Sequence, residues 1–273
     1  MSKSFLDDID TSNVFKAFWV SSARMIAENP KLLVLFNQIS GMADYLEIYN
    51  QLKEPERDEI FLKNINEAAN NYDWGNIEET YRIWGKYGWI TDQLIVPLEF
   101  CEYRPLSQIN ADSTASRALK REEIEKIKIK IEEKTGNISV YRESIRCFDN
   151  KCYTACASLL ISLIDGELIR CQSSLAQGNK KTGAVAGTRM VNDVARTDMY
   201  GLPGYFHLSL INYHEYISTL FASGCGFTNE PKHMNRNYLH HGMSKRKVLK
   251  RDCIKLLIAY NKTLSLIRAL NDI

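Results

Sequence analysis

Side chains that can do acid–base chemistry are most concentrated in residues 235–242, Asn-Arg-Asn-Tyr-Leu-His-His-Gly. This segment holds Arg236, His240 and His241, and three of the five histidines of the chain lie between positions 233 and 241. An imidazole can take the proton from a ribose 2′-hydroxyl or protonate the departing 5′ oxygen. A neighbouring guanidinium can stabilise the negative charge that the phosphate gains in the transition state. The segment therefore predicts RNA cleavage that needs no metal ion.

Basic residues follow this segment at once. They are Lys245, Arg246, Lys247, Lys250 and Arg251. The formal net charge of +2 hides an asymmetry, because residues 1–136 carry 17 basic and 23 acidic side chains and residues 137–273 carry 18 and 10. The second half is therefore the candidate for binding the phosphate backbone of RNA. The alternatives are ordinary scatter of charge between the two halves and a solvated helix face for the basic residues.

The individual roles in this segment stay open. On a single helix, His240 lies about 40° around the axis from Arg236 and His241 about 140°, so helix geometry favours His240. Asn237 either caps a helix or orients the phosphate. Asp165 either pairs with the arginine or is solvated. The arginine and the histidines can also be plain surface residues at the start of a helix.

Two features of the chain resemble the HEPN superfamily. Its nuclease members carry an arginine followed, after four to six residues, by a histidine, often as Arg-Asn-x-x-x-His. Arg236 and Asn237 followed by His241 match that pattern, and Gly242 after the histidine is similar to many prokaryotic members. The apolar stretch 155–166, which ends in Asp-Gly, resembles an earlier helix of the HEPN bundle.

The resemblance covers about residues 138–270 and implies a fold, an activity and a set of site residues. It implies a helical bundle in which two motifs face each other across a homodimer interface. It also implies an endoribonuclease that leaves 2′,3′-cyclic phosphate and 5′-hydroxyl ends, acting as a toxin or an anti-phage abortive-infection effector. The implied catalytic residues are Arg236, His241 and Asn237, with His240 and Asp165 as further candidates.

Apolar residues recur every three or four positions along most of the chain, which is the period of an α-helix. The clearest stripe runs through residues 153–171, and the same spacing predicts helices at 205–221, at about 244–270 and within 15–69. Residues 104–113 have the composition of a loop. We therefore predict an all-α protein.

The domain organisation is predicted from stop signals and composition. Thr135-Gly136 ends a highly charged helix. We expect residues 1–136 to form a helical domain of no assigned family, and 137–273 to form a HEPN-like bundle with a Gly-rich insertion at about 173–204. Asn150 is expected to cap the next helix.

Several classes of protein are disfavoured by the sequence. The longest apolar run spans eight residues, 157–164, whereas a membrane helix needs about 20. Seven cysteines without an apolar export signal predict reduced thiols in the cytoplasm. Cys147, Cys152 and Cys156 form no Cys-x-x-Cys pair, and neither a phosphate-binding loop nor a dinucleotide-binding glycine pattern is present. We therefore expect no metal, no cofactor and no membrane association.

Three functional hypotheses follow. The first is the metal-independent endoribonuclease, with RNA as substrate, a homodimer with a composite active site, and a cognate antitoxin or regulator as further partner. The second is a catalytically inactive HEPN-like module that binds another defence or toxin–antitoxin component. The third is a nucleotide-binding helical protein. Cleavage of RNA by the pure protein separates the first from the other two.

Overall fold

The computed structural model describes residues 74–90, 103–172, 180–197 and 204–271. Within these ranges all regular secondary structure is helical, so the predicted all-α class is confirmed. The α-helices are α1 Trp74–Lys86, α2 Gln108–Ala118, α3 Arg121–Lys134, α4 Ile138–Asp149, α5 Tyr153–Arg170, α6 Gly183–Thr197, α7 Gly204–Leu220, α8 Arg236–His240 and α9 Lys250–Asn271. Cys225–Phe227 forms one 3₁₀ turn. The helices predicted within residues 15–69 lie outside the described residues.

The core is built around α5 and α9, which pack against each other. Helix α4 packs on α5, α3 packs on α9, and α6 contacts both central helices as well as α7. The predicted apolar stripe on α5 is confirmed at four central positions, because the side chains there are fully buried: Ala157, Leu160, Ile164 and Leu168. Burial of this stripe, rather than helix propensity, holds the bundle together.

Helices on both sides of Gly136 contribute to one hydrophobic core. Trp84 of α1 and Ile131 of α3 are fully buried in the same cluster as Leu160 of α5. Helix α1 packs directly on α7, and Asn212 of α7 donates hydrogen bonds to the backbone carbonyls of Tyr81 and Trp89. The division of the chain into two domains stays a prediction.

Two local predictions are wrong. Residues 104–113 are not all loop, because Ser107 accepts a hydrogen bond from the Asn110 amide and caps α2 there. Asn150 does not cap the start of α5, because it is the C-cap residue of α4. Cys152 is the N-cap residue of α5, and its side chain makes no capping hydrogen bond. Both errors concern short polar segments, in which loops and helix ends look alike in sequence.

The Gly-rich stretch contains a packed helix, α6, within the described residues 180–197. Ala186, Met190 and Val191 of this helix are buried in the core. A Cβ atom on Gly187 would collide with the side chain of Ile217 on α7. This glycine therefore allows two helices to approach closely, which gives a packing reason for part of the glycine enrichment.

The final helix starts later than predicted, at Lys250 rather than Ser244. The carboxylate of Asp252 accepts a hydrogen bond from the Leu249 amide at 2.9 Å, which caps the helix start. Glu230 accepts a hydrogen bond from the hydroxyl of Ser244 and from the next two backbone amides, so the preceding segment is tied to another loop. None of the described helices has the length and hydropathy of a membrane span.

Candidate active site

The short helix α8 is fixed at its start by Asn235. The Asn235 side chain accepts a hydrogen bond from the Tyr238 amide at 3.2 Å and donates one to the Ala222 carbonyl at 3.0 Å. Tyr238 is buried, and α8 packs on α5. The sequence thus forms one helical turn after an Asn cap, and that turn is held against the bundle.

The end of α8 is fixed by a left-handed glycine. Gly242 has φ of +66°, and the amides of Met243 and Ser244 donate to the Tyr238 carbonyl at 2.8 and 3.0 Å. His241, the residue before this glycine, is exposed and closes the helix. The turn therefore presents His241 and the adjacent backbone to solvent.

Arg236 is held by two neighbours but not enclosed by them. Its Nη1 donates to Asn237 Oδ1 at 3.0 Å, and its Nη2 lies 3.8 Å from Asp165 Oδ2. The Arg236 side chain is 34% exposed and the Asp165 side chain 15% exposed. Within the described part of the chain, the buried Nε of Arg236 has no hydrogen-bond partner. The guanidinium thus keeps capacity to bind an anion.

Asn237 and Asp165 are themselves anchored. Asn237 Nδ2 donates to the Ala222 carbonyl at 2.9 Å, which fixes the amide that orients Arg236. The other oxygen of Asp165, Oδ1, accepts a hydrogen bond from the Gly183 amide at 2.9 Å. Asp165 therefore links α5, the start of α6 and α8. Of the two alternatives left open for Asp165, the structure has the contact with the arginine.

His240 lies close to Arg236. Burial lowers the pKa of His240 from its ordinary value, and the charges of Arg236 and His241 lower this pKa further. A hydrogen bond to the backbone of Ser158 and the charge of Asp165 partly oppose the shift. The neutral imidazole, which can accept a proton, is therefore favoured at neutral pH.

His241 has different surroundings. Its ring meets the ring of Phe227 edge-on, with the centroids 5.5 Å apart, and Phe227 in turn packs edge-on against Tyr238. The structure therefore places the two histidines in different environments, with His240 beside the Arg236–Asp165 pair. Which histidine acts on RNA stays a prediction.

The five basic residues after the motif divide into two groups. Arg246 makes two hydrogen bonds to Asp252, at 3.0 and 2.9 Å, and Arg251 Nη2 lies 3.0 Å from Asp112 Oδ2. The three lysines of the cluster, Lys245, Lys247 and Lys250, are exposed. The lysines are therefore the part of the cluster that is free to meet a polyanion, whereas both arginines are engaged within the chain.

Several residues that shape the site were not singled out from the sequence. These are the carbonyl of Ala222, the amide of Gly183 and the carboxylate of Glu230. Each forms a hydrogen bond with a residue 13 to 18 positions away along the chain. Any residue has a backbone carbonyl and amide, so the roles of Ala222 and Gly183 could not be predicted from residue type. The acidic Glu230, near a predicted basic cluster, could have been chosen as a partner for it.

The described residues contain no group of three or more His, Cys, Asp or Glu side chains that could hold a metal ion. Cys147, Cys152, Cys156 and Cys253 carry thiols that are not joined in disulfides. Burial raises the pKa of Cys147, which keeps that thiol protonated and poorly nucleophilic. No family model, curated protein or solved structure matches the chain.

Proposed function

We propose that the chain is a metal-independent endoribonuclease of the HEPN type, which cleaves RNA to 2′,3′-cyclic phosphate and 5′-hydroxyl ends. The observation that carries the proposal is the arrangement of Arg236. Its guanidinium is oriented by Asn237, only loosely paired with Asp165 at 3.8 Å, and lies close to His240. The exposed His241 ends the same helical turn. The turn thus carries a positioned cation and two imidazoles, the side chains that most often serve in acid–base catalysis.

The proposed reaction uses these side chains for every step. A neutral imidazole takes the proton of the 2′-hydroxyl, and the 2′ oxygen attacks the adjacent phosphorus. Arg236 binds the non-bridging oxygens, on which negative charge accumulates, through donors that its loose contact with Asp165 does not saturate. The bond to the 5′ oxygen breaks as that oxygen receives a proton from an imidazolium. Asn237 acts through Arg236, as a positioning residue.

We assign the main acid–base role to His241, following the spacing of the HEPN motif. The exposure of His241 supports this assignment, because an RNA strand or a second protomer can reach it. The closeness of His240 to Arg236 supports the other assignment within one chain. In a homodimer that joins two motifs, His240 and His241 of each protomer would lie near the same phosphate, and either histidine could then act there.

The biological role that we propose is that of a toxin or abortive-infection effector in the cytoplasm, restrained by a cognate antitoxin or another regulator. Only the HEPN resemblance supports this role. The exposed lysines 245, 247 and 250 support RNA as the partner, since they follow the motif closely in sequence and form no ion pair with the other described residues.

The experiment is cleavage of one RNA oligonucleotide by the pure protein in excess EDTA. We expect cleavage to persist in the chelator and the products to carry 2′,3′-cyclic phosphate. Arg236→Ala and His241→Ala should each lower the rate by a factor of about 100 or more, and the double variant should be hardly worse than either. His240→Ala should cost much less.

The control is Lys130→Ala, an exposed lysine on α3, with circular dichroism as the folding check. A dead His240→Ala with an active His241→Ala would exchange the histidine roles and keep the nuclease. Wild-type cleavage by all folded motif variants, or no cleavage by the wild type, would replace the nuclease with the non-catalytic binding module. Specific activity that falls on dilution of the protein would support the composite dimer site.

A further inference from the structure

A cavity of about 230 Å³ lies apart from the Arg236 motif. Its walls come from the turn after α1, from α2 and α7, and from the chain segments just before α8 and around the start of α9. Arg236, Asn237, His240 and His241 do not line it. The cavity therefore needs an explanation of its own.

The lining of the cavity has an excess of positive charge. Lys232, Arg246, Arg251 and Lys255 line it, against the two carboxylates Asp112 and Asp252. Each arginine is paired with one carboxylate, and Lys255 shares Asp112 with Arg251. The formal excess is two positive charges. An anionic ligand would balance it.

One wall of the cavity is held by a buried hydrogen-bond network centred on Asp112. Its carboxylate accepts from Trp89 Nε1 at 2.9 Å and from Gln108 Nε2 at 3.1 Å, and it lies 2.6 Å from Lys255 Nζ. Lys255 also donates to the Tyr87 carbonyl at 2.7 Å. A ligand would therefore meet a preorganised wall, which lowers the entropic cost of binding.

Donors at the cavity are left unused. Arg251 lines the cavity, and its Nη2 is paired with Asp112 at 3.0 Å. Among the described residues, Nη1 of Arg246 donates to the thioether sulfur of Met234 at 3.8 Å, and this sulfur is a weak acceptor. Lys232 lines the cavity, is exposed and forms no ion pair with the other described residues. A ligand with several acceptor oxygens would give Arg246 and Lys232 stronger hydrogen-bond partners.

Size and charge select the ligand class. Pockets for drug-sized ligands measure about 300–1,000 Å³, so this cavity fits a smaller molecule. A phosphomonoester carries a charge of about −1.5 to −2 near neutral pH and three strong acceptor oxygens, which matches the excess of two positive charges better than a single carboxylate. Tyr216 and Leu220 add an apolar wall for the organic part.

We propose that this cavity binds a small phosphomonoester, with the phosphate group held by Lys232, Arg246 and Arg251. Binding should be independent of the Arg236 motif, since no motif residue lines the cavity. His233 also lines it, next to Arg246 and Lys255. The ring of His233 is therefore a built-in reporter of occupancy.

The test is a titration of the pure protein with sn-glycerol 3-phosphate and with inorganic phosphate, monitored by thermal unfolding and by the NMR signal of His233. Potassium chloride at matched ionic strength is the blank. We expect both phosphates to raise the unfolding temperature with concentration, as ligand linkage requires. We also expect a saturable shift of the His233 signal.

The variants decide where the phosphate sits. Lys232→Ala should weaken phosphate binding by about tenfold or more, the loss of one charge-assisted hydrogen bond. Lys130→Ala, an exposed lysine outside the cavity, should bind like the wild type. Arg236→Ala should also bind like the wild type, which separates this proposal from the nuclease.

Three outcomes would overturn the proposal. The first is stabilisation no greater than that given by potassium chloride. The second is equal binding by Lys232→Ala and the wild type. The third is loss of binding in Arg236→Ala, which would place the phosphate at the motif instead.

Discussion

Asp165 and Asp112 each face a basic side chain, and the two pairs differ in closeness and burial. Asp165 Oδ2 lies 3.8 Å from Arg236 Nη2, and the two side chains are 15% and 34% exposed. Asp112 Oδ1 lies 2.6 Å from Lys255 Nζ, and these side chains are 7% and 9% exposed. A partly exposed, loose pair contributes little to stability and can exchange partners, whereas a buried pair is costly to break. An acidic–basic pair therefore lies loosely at the proposed active site in one region and fixes a cavity wall in the other.

The largest expected effect is on folding stability. Asp112→Asn leaves the buried Lys255 without its countercharge, and it should lower the free energy of unfolding by about 3–5 kcal/mol. Asp165→Asn should cost about 1 kcal/mol or less through the ion pair, because Arg236 remains partly solvated. Urea unfolding of both variants measures the difference.

Each of the two substitutions removes one negative charge and keeps the side-chain shape. The change in net charge therefore cannot explain a difference between their free energies of unfolding. Equal losses in the two variants would break the comparison between the regions.

The two regions also differ in how far they could be predicted from sequence. The α5 stripe and the Arg236 segment were found because their signals are local, at helical spacing and within a few residues. Asp112 was not found. It lies in a polar segment read as loop, and Lys255, which pairs with it, is 143 positions away along the chain. A single sequence contains no period that joins such residues.

The same limit applies to the motif. Spacing predicted that His240 shares a helix face with Arg236, and the structure places it near that residue. Spacing could not predict the packing of His241 on Phe227, or the anchoring of Asn237 by the Ala222 carbonyl. Those contacts depend on the path of the chain between α7 and α8.

The next expected effect separates free cations from paired ones. Lys245, Lys247 and Lys250 are exposed, whereas Arg246 and Arg251 are engaged with carboxylates. Replacing the three lysines with alanine should make the plot of log K for single-stranded RNA against log salt less steep by about 2. Each phosphate contact contributes about 0.7 to this slope, and three contacts are removed. Fluorescence anisotropy at several salt concentrations measures the slope.

The control for this triple variant has the same change in net charge. It replaces three exposed lysines of α3 and of the residue before it, Lys120, Lys126 and Lys130, with alanine. The salt dependence of RNA binding should then stay as in the wild type. If both triple variants flatten the slope equally, RNA responds to overall charge and not to the surface beside the motif.

A smaller effect compares two left-handed glycines, one in each region. A Cβ on Gly88, at φ +82°, would lie 3.2 Å from Cδ of Lys255, whereas one on Gly242, at φ +66°, would meet open space. Gly242→Ala should cost about 1–2 kcal/mol from backbone strain alone. Gly88→Ala should cost more, because it also displaces Lys255 from its carboxylate. Thermal unfolding ranks them, and equal losses would show that Lys255 moves without cost.

The smallest expected effect is a shift in the titration of His240. Arg236 lowers the pKa of His240 and Asp165 opposes that shift. Arg236→Met should therefore raise this pKa, and Asp165→Asn should lower it further. The two substitutions remove charges of opposite sign from one contact, so shifts of opposite sign in an NMR titration would confirm that His240 senses this pair. His233, whose pKa is lowered by burial and by Arg246 and Lys255, is the internal control and should not move.

The same shift has a consequence for stability. The pKa of His240 is lower in the folded protein than its ordinary 6.5, so the unfolded chain binds more protons between those two values. The contribution of His240 to stability is therefore fully present above pH 6.5 and is lost as the pH falls through the folded pKa. Arg236→Met should reduce this loss, which urea unfolding at pH 7.5 and pH 5.5 measures against the wild type. If the two proteins lose the same stability on acidification, the charge of Arg236 does not reach His240, and the assignment of this histidine as the neighbour of the arginine fails.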